Sequence, residues 1–131
     1  AISSIRPQYH FRPAPEGLLA WDVRRQVRLS RELPVQAVPL SQIAELDSVH
    51  WYGHGSVKPT VRSIIEHCQL MLAADLAYPI ILDSAGRVMD GMHRVSKALM
   101  QGATQIAAVQ FERDPAPDYV DCDPDLLPYD D

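Results

Sequence analysis

Between Pro79 and Gly102 the chain is punctuated so tightly that few local structures fit it. Pro79-Ile80-Ile81-Leu82 is a short apolar run and reads as a strand. Asp83-Ser84-Ala85-Gly86 is turn chemistry, with a glycine available for positive φ. Arg87-Val88-Met89 then returns as a second strand, which makes the pair a β-hairpin. Asp90 and Gly91 open a helix whose Val95, Ala98 and Leu99 are expected to face inward, and Gly102 ends it as the residue after the cap. Ile106 to Phe111 reads as a last strand.

The rest of the chain is less tightly specified. Residues 1–16 hold Pro7, Pro13 and Pro15 without periodicity and read as an extended arm. Residues 17–32 read as a helix, because Leu19, Val23 and Val27 fall four apart, with Arg24, Arg25, Arg28 and Arg31 mostly on the other side. That basic ridge is either a solvated face or a contact for phosphate or nucleic acid. Val35 to Leu40 is a short strand in which Pro39 marks either a sheet edge or a strand end, and Ser41 is placed to cap a short helix through Leu46. Residues 47–58 form a loop. Pro59 suits the first turn of a helix in which Val61, Ile64, Ile65, Cys68 and Leu72 make the stripe of a one-sided buried element. From Asp114 onward the chain is proline-rich and acidic, a tail or docking arm. The expected organisation is an arm at 1–16, one α+β domain at 17–113 with a small mixed sheet and packed helices, and a tail at 114–131.

Bulk properties exclude several classes. A chain of 131 residues suits one domain with its own core. The net charge of -5 argues against a generally basic nucleic-acid binder. Cys68 and Cys122 form no disulfide framework and no zinc-ligand spacing. No apolar run approaches the roughly 18 residues of a membrane span, and no signal peptide is legible, so a cytoplasmic protein is expected.

The strand-to-helix junction Asp90-Gly91-Met92-His93-Arg94 carries the chemistry. Free backbone N–H groups and the positive end of the helix dipole gather at such an opening. Gly91 removes a Cβ and lets a ligand approach the backbone, while His93 and Arg94 add donors. The set is a phosphate cradle. Asp90 opposes an anion unless it caps the helix through the Met92 or His93 N–H, or faces a Mg²⁺ that bridges to the phosphate. The alternative is an Asp-capped helix with His93 and Arg94 on the surface.

The stretch from Pro79 through Arg94, continuing by Lys97, Ala98 and Gly102 to Val109, resembles the ParB/sulfiredoxin-like superfamily. The wider likeness runs from about Val35 to Phe111. It implies a ParB/sulfiredoxin-like fold and a bound nucleotide (ATP, ADP or CTP) with Mg²⁺. Sulfiredoxins carry a cysteine where this chain has Met92, and a thioether cannot act as that nucleophile. Free-serine kinases of the superfamily read Asp-Gly-His-His-Arg, one position away from Asp90–Arg94, and use an acidic base from the loop before the first long helix. Glu45, Asp47, His50 and His54 are the candidates here. Lys58, Thr60 and Ser63 correspond to polar groups that relatives lend to the nucleotide, with His67 further along the same helix. Trp51 and Tyr52 either stack on a base or anchor the loop. The expected activity is phosphoryl transfer to a small hydroxyl compound or nucleotide hydrolysis. The alternatives are a DNA-associated partition- or nuclease-type module, or a non-catalytic nucleotide-binding regulator. A homodimer is compatible with either.

Overall fold

The computed structural model describes residues 9–52 and 58–127. Its centre is a four-stranded mixed sheet in the order β3-β6-β4-β5. The strands are β3 (Gln36–Pro39), β4 (Ile80–Leu82), β5 (Val88–Asp90) and β6 (Gln105–Gln110). β4 pairs antiparallel with β5 and parallel with β6, and β3 closes the other edge antiparallel to β6. Pro39, which cannot donate to a ladder, ends that edge strand.

Alternation along the strands divides the core between the two faces. Ile80, Leu82, Val88, Ile106 and Ala108 pack with Met92, Val95 and Ala98 of α3 (Met92–Met100). Ile81, Met89, Val109 and Phe111 pack on the opposite face with Trp21. The hairpin turn needs Gly86 at φ +85°. The end of α3 follows its sequence signal as well. Gly102 (φ +80°) donates to the Leu99 carbonyl and Ala103 to that of Ala98, the paired bonds of a Schellman stop. Leu99, expected inside, is 51% exposed in that last turn.

The N-terminal third departs from expectation. Residues 9–22, expected to be part of an arm and the start of a helix, form a β-hairpin, β1 (Tyr9–Ala14) antiparallel to β2 (Gly17–Asp22), and of the helix expected over 17–32 only α1 (Val23–Leu29) is helical. Pro15 and Glu16 make the turn, and Gly17 closes it at φ +117°. The four-residue spacing of Leu19, Val23 and Val27 runs across a junction: Asp22 ends the strand and caps α1 by accepting from the Arg24 N–H. The expected short helix after Ser41 is instead two 3₁₀ turns, Leu40–Gln42 and Ala44–Asp47, neither with a side-chain cap.

The acidic tail is docked as far as Cys122. Asp114 takes Arg12, the Pro115 carbonyl takes the Trp21 indole N–H at 2.7 Å, and Asp118 takes Arg25. Tyr119 bridges to Ala20, and the Cys122 N–H donates to Leu18. Its carboxylates have partners on the hairpin, which holds in place a segment that its composition marks as loose.

The largest surprise is α2 (Val61–Ala73). Its apolar stripe is expected to face the core, yet none of its residues is buried. Ser63, His67 and Met71 are the half-buried positions. The helix is anchored through His67 and by Lys97, whose ammonium donates to the Leu72 and Ala74 carbonyls. These anchors hold the side that carries Ser63, His67 and Met71 against the body, while Arg62, Glu66 and Gln69 are exposed.

Candidate functional site

β5 places two features close together. The Val88 N–H donates to Glu45 Oε2 at 2.5 Å, which draws the turn Ala44–Asp47 onto the strand. Two residues later, roughly 7 Å along the strand, Asp90 and Gly91 lead into α3.

Gly91 sits at φ +115° as the N-cap, so the strand does run into the helix there. A Cβ at Gly91 would lie 2.6 Å from Ile80 Cγ2 and 3.1 Å from Arg94 Nη2. The missing side chain therefore admits Ile80, and the glycine is required by the fold itself. No side chain caps α3, although Val95 donates to the Gly91 carbonyl in the first helical bond. The amides of Met92, His93 and Arg94 are the free groups of that first turn. Met92 points into the core and fills space.

Asp90 does not cap the helix. Its Oδ2 accepts from Arg94 Nη2 at 2.8 Å, and Arg94 Nη1 also donates to the Tyr78 and Pro79 carbonyls at 3.1 and 3.0 Å. The guanidinium expected to clamp an anion thus ties α3 to the segment before β4, and its charge is balanced by Asp90. A cavity of about 280 Å³ opens beside this pair, lined among others by Leu70, Tyr78, Gly91, His93 and Arg94.

His93 turns toward α2. Its Nε2 lies 2.8 Å from His67 Nδ1, and the Trp51 indole stacks on both rings at 4.3 Å from His67 and 4.8 Å from His93. Burial, then the neighbouring His67, lowers the His93 pKa to about 4, and burial lowers that of His67. Both imidazoles are neutral at pH 7, one donating to the other. Trp51 anchors this stack, and Tyr52 meets the Ser63 hydroxyl at 3.1 Å. Thr60 caps α2 by accepting from the Ser63 N–H. Lys58 and Asp47 are exposed. His54 lies outside the described residues.

On the far side of Trp51 lies a larger cleft, about 420 Å³, between the N-terminal hairpin and the sheet. Among its lining residues are His10, Arg12, Glu45, His50, Trp51 and Arg87. Glu45 Oε1, His10 Nε2 and Arg12 Nε are shielded from solvent with no hydrogen-bond partner among the described residues. Such buried orphans are few in native proteins, and each calls for an explanation. Burial and then Arg12 lower the His10 pKa to about 4, so it too is neutral. Arg12 and Arg87 both meet the fully buried Asp83 carboxylate, Arg87 at 3.3 Å. Of the residues lining this cleft, sequence reasoning singles out Glu45, His50 and Trp51, and not His10, Arg12 and Arg87. The only local signal was the Asp83 turn next to Arg87; the hairpin contribution is long-range.

Among the described residues no three His, Cys, Asp or Glu side chains gather as a metal cage. Asp90 binds Arg94 through Oδ2 alone, and one carboxylate suffices where Mg²⁺ arrives bound to phosphates. Arg24 pairs with Asp22 and Arg25 with Asp118, which reduces the charge that a DNA-binding reading draws on. No helix among the described residues is long and apolar enough to cross a membrane. Comparison with protein-family models, curated proteins and solved structures finds no match.

Proposed function

We propose that this chain binds a nucleotide and catalyses phosphoryl transfer to a small hydroxyl compound, or to water. The observation that carries the reading is the coupling of Glu45 to β5. A carboxylate with one oxygen held by the Val88 N–H, and the other unpartnered among the described residues, is anchored to the strand that runs on through Asp90 into an uncapped helix opening. Phosphoryl transfer asks a protein mainly for positioning and charge stabilisation.

In this reading the amides of Met92, His93 and Arg94 and the α3 dipole hold the phosphate. Arg94 balances Asp90, which would otherwise repel it. Mg²⁺ supplies further charge neutralisation when bound with the nucleotide. Glu45 Oε1, which lines the larger cleft, accepts the proton of a hydroxyl or water that enters from that side, and the shortened nucleotide leaves as the phosphoryl group transfers. His93, neutral and fixed by His67 and Trp51, offers a hydrogen bond without adding charge.

The test is a thermal-shift panel of ATP, ADP, CTP and GTP, with and without Mg²⁺, followed by assays of phosphate release and transfer. A ligand at about 100 times its Kd adds about 2.7 kcal/mol of stability. Glu45→Gln keeps the Val88 hydrogen bond, so it should retain the shift and lose turnover. The reading fails if no nucleotide shifts the transition, or if Glu45→Gln turns over like the parent.

A further inference from the structure

We infer that the outward face of α2 is a self-association surface, on which a second copy of this chain packs its own α2 antiparallel across a two-fold axis. The proposal does not depend on the nucleotide reading. At about 100° per residue, Val61, Ile64, Ile65, Cys68 and Leu72 cluster on one side of the helix, centred about 120° away from the half-buried Ser63, His67 and Met71. Val61 is 77% exposed, Ile64 47%, Ile65 50% and Leu72 68%, and the Cys68 thiol is exposed as well. The stripe has the spacing of a core-facing helix, yet polar contacts (His67 to His93, and Lys97 to the Leu72 and Ala74 carbonyls) hold the other side inward. A helix anchored through the side that carries Ser63, His67 and Met71 leaves this apolar stripe to water, which solvates it poorly.

A second copy fits this face on three counts. The stripe contains no charged residue, so two copies can meet without burying an unpaired charge. A two-fold axis joins identical patches, and a purely apolar row is complementary to itself. The stripe residues leave on the order of 500 Å² open per copy, so pairing covers on the order of 1,000 Å², the lower bound for a specific interface. Antiparallel pairing sets Val61 against Leu72 of the second copy and Ile65 against its Cys68. It also lays the positive start of each helix beside the negative end of the other.

The test is sedimentation equilibrium of the whole chain from low to high micromolar concentration, for the parent and for Ile65→Glu. The parent should show a monomer–dimer equilibrium. Ile65→Glu should raise the dimer dissociation constant by at least about 100-fold, since pairing would bury its carboxylate. Its circular dichroism and melting temperature at a concentration where the parent is monomeric should stay unchanged, because the residue is exposed within one copy. A short bis-maleimide should join two parent chains through Cys68 in a Cys122→Ser background, and that product should vanish with Ile65→Glu. A parent that stays monomeric throughout the range, or an Ile65→Glu variant that associates as strongly as the parent, overturns the proposal.

Discussion

Replacing Gly91 by alanine separates a glycine required by the fold from one required by a ligand. At φ +115° a residue with a Cβ is strained by about 1–2 kcal/mol. The new methyl would also stand 2.6 Å from Ile80 Cγ2 and 2.9 Å from Ile80 Cβ, and Ile80 of β4 is fully buried in the cluster it shares with Met92 and Val95 of α3. Clearing that overlap means displacing a core side chain, which costs about 1–3 kcal/mol. The expected loss is therefore about 2–5 kcal/mol, or roughly 8–20 °C in melting temperature for a domain of this length. Gly102→Ala is the internal control. Gly102 also has positive φ, +80°, but nothing lies within 4 Å of where its new methyl would stand, so only about 1 kcal/mol of backbone strain is expected. Urea denaturation of both variants decides the matter. If Gly91→Ala loses no more than Gly102→Ala, the close approach of Ile80 does not dictate the glycine, and the argument from packing is wrong.

Three further outcomes follow from the geometry. Asp83→Asn should cost about 3–5 kcal/mol by urea denaturation, because the fully buried carboxylate accepts from the Ala85 and Arg87 N–H groups while facing the Arg12 and Arg87 guanidinium groups. Arg94→Ala should cost about 2–3 kcal/mol, since Asp90 and the Tyr78 and Pro79 carbonyls lose a shared charged donor. A variant as stable as the parent would show that this tether is not a structural one. For pH, His10 and His93 have folded pKa values lowered to about 4 against 6.5 when unfolded. The unfolded chain then binds more protons between those values, so stability is fully present above about pH 6.5 and falls as the pH drops toward 4. Denaturation at stepped pH should show that slope, and His93→Gln should make it shallower.

The β4–β5–α3–β6 unit is legible from local sequence. Its signals are the apolar run Ile80-Ile81-Leu82, Gly86 in the turn, Gly91 before the helix and Gly102 after it. Each is read within a few residues, where backbone geometry acts. Glu45 is a candidate only through the family resemblance, and its bond to the Val88 N–H is not legible in the sequence. The remaining choices depend on partners far along the chain, and so they are made only when the chain folds. Whether residues 9–22 form a hairpin depends on Trp21 reaching Pro115 and on Arg12 reaching Asp83 and Asp114. The direction of the α2 stripe follows from His93 and Lys97, more than twenty residues away, which hold the side carrying Ser63, His67 and Met71 inward. The role of Arg94 follows from whichever acceptors lie within reach: Asp90 and two carbonyls do, so a side chain that the motif suggests for a ligand is engaged by the protein. Spacing specifies which face a residue occupies, but only the folded chain determines what that face meets.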